Sequence, residues 1–121
     1  MATEKIVIYH NPRCTKSRQT LQLLTEQAPD AKLEVIEYLN TPPDKEELKH
    51  IIKLLGIDSP RELMRKKENI YESEDLGNSE ITTEALINAM VNNPILIERP
   101  IVIANGKAAI GRPPENVLAI L

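Results

Sequence analysis

His10, Cys14 and Ser17 fall within one short segment, His10-Asn11-Pro12-Arg13-Cys14-Thr15-Lys16-Ser17-Arg18, and Cys14 is the only cysteine of the chain. A thiol does chemistry as its thiolate, so its surroundings decide whether it is a nucleophile or a small buried hydrophobe. The run Ile6-Val7-Ile8-Tyr9 before the segment reads as a strand, and the residues after it read as a helix. Cys14 is therefore expected at or just before the first helical turn, where unpaired N–H groups and the positive end of the helix dipole stabilise an anion. Arg13, Lys16, Arg18 and His10 add positive charge nearby. This setting favours a reactive thiol over an inert one.

Ser17 stands where a redox dithiol would carry its second cysteine, so an internal disulfide cycle is excluded. What remains is a single nucleophile whose product an external thiol must resolve. The Ser17 hydroxyl either donates to the thiolate or helps to cap the helix. His10 is either an electrostatic partner of Cys14 or an ordinary strand-end histidine. Only three residues separate Cys14 from Arg18, too few for the phosphate cradle of the cysteine-based tyrosine phosphatases. An oxyanion substrate would thus need arginines from elsewhere, because planar guanidinium groups bind such oxygens bidentately. Arg65, Arg99 and Arg112 are the candidates. Arg99 and Arg112 each precede a proline and flank an expected β-hairpin, which would bring them to one end of a sheet.

The elements that must position these groups follow from periodicity. A strand over Lys5 to Tyr9, a helix from Thr15 to about Gln27 and a second strand over Leu33 to Leu39 form a β-α-β unit, which implies parallel pairing. Thr41-Pro42-Pro43-Asp44 starts a helix with Thr41 as its expected cap, and Leu48, Ile51, Ile52 and Leu55 line one face up to Gly56. Ser59-Pro60 opens a shorter helix carrying Arg65. Glu68 to Glu80 reads as a mobile or loosely helical surface connection, and Thr82 or Thr83 caps a further helix ending near Asn92. Short apolar runs at 95–97 and 101–104 follow. Asn105-Gly106 reads as a tight hairpin turn, and a final helix over Glu115 to Leu121 buries Val117, Leu118 and Leu121. The order β-α-β, helical insertion, β-β-α describes an α/β fold with a thioredoxin-like mixed sheet.

With 121 residues the chain is expected to be one domain, 1–121, and with three tyrosines and no Phe or Trp its core must be aliphatic. A net charge of −3 argues against a nucleic-acid partner. Neither a secretory leader nor a membrane span is apparent, and a lone cysteine forms no internal disulfide, so a cytoplasmic monomer is expected. No bound cofactor and no metal are expected.

The segment Tyr9 to Arg18, with Leu63-Met64-Arg65-Lys66, the stretch Asn93 to Val102 and Gly111-Arg112-Pro113, resembles the glutaredoxin-coupled arsenate reductases over nearly the whole chain. The resemblance implies a thioredoxin-like fold with a helical insertion and a cysteine, here Cys14, that attacks arsenate to form a thiol–arsenate adduct. Glutathione, as co-substrate, then displaces the adduct, and glutaredoxin helps to release arsenite. It further implies that Arg65, Arg99 and Arg112 bind the oxyanion, that His10 and Ser17 lower the thiol pKa, and that the Arg99-Pro100 bond is cis. Gly111 stands where some members of that family have a second cysteine. Two other readings compete: an Spx-type regulator that binds RNA polymerase, against which the absence of a second cysteine at Ser17 argues, and a thioredoxin-fold adaptor with an unreactive thiol.

Overall fold

A computed structural model describes residues 4–121; residues 1–3, read above for a leader, lie outside it. The described chain divides into two compact units, one formed by the N-terminal residues up to Thr41 together with Arg99–Leu121, the other by Pro42–Glu98.

The first unit is a four-stranded mixed sheet in the order β2-β1-β3-β4. Strand β1 (Lys5–His10) is central, and its β-branched residues suit that position, with Ile6 and Ile8 fully buried. It pairs in parallel with β2 (Lys32–Glu37), to which it is joined through helix α1 (Thr15–Gln27). On its other side it pairs antiparallel with β3 (Ile101–Ala104), Tyr9 facing Ile101. Strand β3 turns through Asn105-Gly106 into β4 (Lys107–Ile110), and both turn residues have positive φ, 54° and 74°. That pair of left-handed conformations is what a two-residue hairpin needs and what Asn-Gly tolerates. Ile6, Ile8, Leu24, Val102, Ala104, Val117 and Ile120 form the core, which is as aliphatic as the composition demands.

The expected order of elements holds, with local departures. Strand β2 stops at Glu37 rather than Leu39, because the Asn40 and Thr41 N–H groups both donate to the Glu37 carbonyl and turn the chain. The last helix is a 3-10 helix, Pro114–Ile120, and it buries Pro114, Val117 and Ile120 while Leu118 is exposed. Burial at every third residue is the signature of three residues per turn, not 3.6.

In the second unit, helix α2 (Lys45–Leu55) is capped by Asp44, whose Oδ1 accepts the Glu47 N–H at 2.8 Å, and not by Thr41. Pro43 holds Pro42 extended, so the helix cannot begin directly after Thr41, and Asp44, itself extended (φ −82°, ψ 179°), takes the cap. Gly56 ends the helix with φ 69°. A 3-10 helix (Pro60–Leu63) follows, with Ser59 and Glu62 forming a capping box. The stretch expected to be a loose connection contains a short helix, α3 (Asn69–Ser73), and a buried Leu76. Arg61 fastens it, donating from Nε to the Leu76 carbonyl at 2.9 Å and from Nη2 to that of Asn78 at 2.6 Å. Helix α4 (Thr83–Asn92) is capped by Thr82, and Pro94–Leu96 is a 3-10 turn before a single bridge between Ile97 and Met64. No helix among the described residues is long and apolar enough to cross a membrane.

Candidate active site

Cys14 is the N-cap of α1, with extended backbone (φ −95°, ψ 124°) and little exposed surface. The turn that delivers it is closed locally: its N–H donates to the Asn11 carbonyl at 3.0 Å, and the Arg13 N–H donates to Asn11 Oδ1 at 3.0 Å. This is the turn an Asn-Pro pair favours. Arg18, one turn into the helix, donates from Nη1 to the Pro12 carbonyl at 2.9 Å and from Nη2 to Thr15 Oγ1 at 3.3 Å. It braces the cysteine loop from behind.

Burial alone would push the Cys14 thiol up, yet its pKa lies below the ordinary thiol value. The Ser17 N–H, the charge of Arg99, the Lys16 N–H and a hydrogen bond from Arg99 together outweigh the desolvation. A second guanidinium stands nearby, with Arg112 Nη1 3.9 Å from Cys14 Sγ. The hairpin thus brings Arg99 and Arg112 to the end of the sheet where β1 delivers the thiol. Both X-Pro bonds that follow these arginines, Arg99-Pro100 and Arg112-Pro113, are cis.

Of the two roles open to Ser17, the structure shows neither in simple form. Its fully buried hydroxyl lies 2.6 Å from His10 Nδ1 and accepts the Asn11 N–H at 3.0 Å; the group it turns to the sulfur is its backbone N–H. His10 is itself buried, and burial holds its pKa below the usual imidazole value, with Glu37 pulling up and Arg18 pushing down. Burial thus favours the neutral ring, which is hydrogen-bonded to Ser17. A cleft of about 370 Å³ opens beside His10, with Arg13 and Glu37 in its walls.

Arg65 belongs to the second unit, where its guanidinium pairs with Glu68 Oε1 at 2.6 Å and its N–H donates to the Leu96 carbonyl at 2.7 Å. Among the described residues no group of three or more His, Cys, Asp or Glu side chains is placed to hold a metal.

Two residues escaped the reading of the sequence. In the sequence Arg18 reads only as part of the general positive charge, although its bonds are to the loop. Thr20 carries no motif, although Ser17, Thr20 and Leu24 are the buried residues of α1. Hydroxyls on the inward face of a helix were the available signal, since a buried polar group must be bonded.

The ArsC family model matches residues 9–120. The chain is 56% identical over 119 residues to the uncharacterized protein YfgD of Escherichia coli strain K12, the match covering 98% of each. It is 51% identical to an arsenate reductase of Neisseria meningitidis serogroup A, covering 97% of this chain and 98% of that protein. Its fold superposes on the structure described as an arsenate reductase from Vibrio cholerae with a TM-score of 0.93 at 50% identity, each chain covered in full. An activated thiol between two arginines, on a sheet matched along its whole length by these relatives, places the chain in the ArsC family.

Proposed function

We propose that this protein is an arsenate reductase that works through a thiol–arsenate adduct on Cys14. The observation that carries the reading is the convergence of the Ser17 and Lys16 N–H groups with two guanidiniums, Arg99 and Arg112, on one buried sulfur. Such a site makes a thiolate and offers cationic donors to an oxyanion that approaches it. Arg65 is proposed as a third contact to that oxyanion. His10 and Ser17 act by fixing the turn whose N–H groups meet the sulfur.

Reducing arsenate to arsenite takes two electrons, which two thiols supply as they become a disulfide. Cys14 is the first thiol, and with serine at position 17 the second comes from outside. Glutathione fills that role as co-substrate by displacing the adduct, and glutaredoxin helps to release arsenite, as the resemblance implies. No bound cofactor is required, and the protein is proposed to act as a monomer in the cytoplasm.

The test is arsenate-dependent turnover with glutathione and glutaredoxin, followed through oxidation of glutathione. Wild-type protein turns over, Cys14→Ser is inactive, and omission of glutaredoxin slows the reaction. Turnover by Cys14→Ser equal to that of the wild type would remove Cys14 from the mechanism. The regulator and adaptor readings both predict no turnover by any form.

A further inference from the structure

Thr20 is fully buried, although it carries a hydroxyl. Its Oγ1 donates to the Lys16 carbonyl at 2.8 Å, within the turn of α1 whose N–H groups face the thiol, and lies 3.4 Å from the Gly111 carbonyl. The second distance is long for an O–H···O bond, so packing rather than hydrogen bonding is the stronger link between Thr20 and Gly111. A Cβ on Gly111 would lie 2.5 Å from Thr20 Oγ1, 3.0 Å from Thr20 Cγ2 and 2.9 Å from Pro100 Cγ. Only Gly56 and Gly106 among the described glycines have positive φ. In this chain's packing Gly111 therefore serves for room and not for backbone conformation. The Gly111 N–H also donates to the Pro100 carbonyl at 2.9 Å.

Three segments meet at this point. Thr20 comes from the helix that presents Cys14, Pro100 follows Arg99, and Gly111 precedes Arg112. We propose that the packing of Thr20 and of Pro100 against Gly111 is a spacer that sets the distances of the Arg99 and Arg112 guanidiniums from the Cys14 sulfur, and that Thr20 and Gly111 are positioning residues of the oxyanion site. The inference rests on the proposed reaction for its substrate, but its geometry does not depend on turnover. Interiors packed to this density shift rather than compress when an atom is added. A side chain at 111 therefore moves the two arginine-bearing segments away from α1. Small displacements of such groups have large effects on rate and binding.

The experiment is a double-mutant cycle on the full-length protein with Gly111→Ala, Thr20→Ala and the pair combined. Each variant is measured for kcat and KM with arsenate, for the pH dependence of Cys14 alkylation by iodoacetamide, and for its thermal melt. Gly111→Ala is expected to raise KM about tenfold, the loss of one charge-assisted contact, and to move the alkylation profile to higher pH as Arg99 withdraws. Thr20→Ala removes two of the three atoms nearest the new methyl and leaves Pro100 Cγ at 2.9 Å, so the double variant is expected to recover much of the loss in both readouts. Strict additivity, or a Gly111→Ala variant with wild-type KM and alkylation profile, overturns the proposal. If Gly111→Ala does not melt cooperatively, the double variant decides: restored folding with a wild-type alkylation profile supports the spacer, and a failure to fold overturns it. If wild-type protein does not reduce arsenate, the functional reading fails, and the alkylation profiles alone decide the spacer.

Discussion

The Cys14 sulfur sits under opposing influences: burial disfavours its charge, while two peptide N–H groups and Arg99 favour it. Arg112 Nη1 is a further cation, 3.9 Å from the sulfur. Arg99→Ala is expected to shift the alkylation profile of Cys14 to higher pH and to weaken arsenate use, and Arg112→Ala is expected to raise KM by the equivalent of about 1.5–3 kcal/mol. An unchanged alkylation profile in Arg99→Ala would reject the part of that guanidinium in lowering the thiol pKa. At this scale the sequence was informative about which residues matter and poor about how they act. A lone cysteine before a helix, a serine three residues on and two Arg-Pro pairs are all visible as text. That Ser17 spends its hydroxyl on His10 and Asn11 and offers its N–H to the thiol depends on side-chain directions, which spacing does not encode.

Among the elements, β1, α1 and the hairpin were readable because each carries a strong local signal: a β-branched run, a helical stripe and an Asn-Gly turn. The misreadings fall where two local signals compete. Before α2, Thr41 and Asp44 both resemble caps, and the two prolines between them settle the matter in favour of Asp44. Asp44→Ala is therefore expected to lower stability by about 1 kcal/mol in urea unfolding, while Thr41→Ala, at an exposed position outside the helix, changes it little. The reverse order would show that the cap lies at Thr41 in solution. The 68–80 stretch reads as a mobile or loosely helical connection because its composition is polar. Its order comes from Arg61, whose bonds to the Leu76 and Asn78 carbonyls span a separation that no periodicity window reports.

For the whole molecule, buried His10 links the site to acid stability. Its pKa in the folded chain lies below the unfolded value of 6.5, so as pH falls the unfolded chain takes up the proton first. The contribution to stability is present above pH 6.5 and is lost as pH falls from there towards the folded value. Urea midpoints measured at about pH 7.5 and about pH 5.5 should differ by less in His10→Asn than in the wild type; an unchanged difference would assign the acid sensitivity to other groups. The first unit is assembled from both ends of the chain, with β1 paired to β3 across the whole intervening segment. On the ribosome the nucleophile is made before its cations, and long-range pairing of this kind forms late. A nascent chain that has not yet docked β3 therefore carries a cysteine without Arg99, and it becomes a strong nucleophile only once β3 has docked.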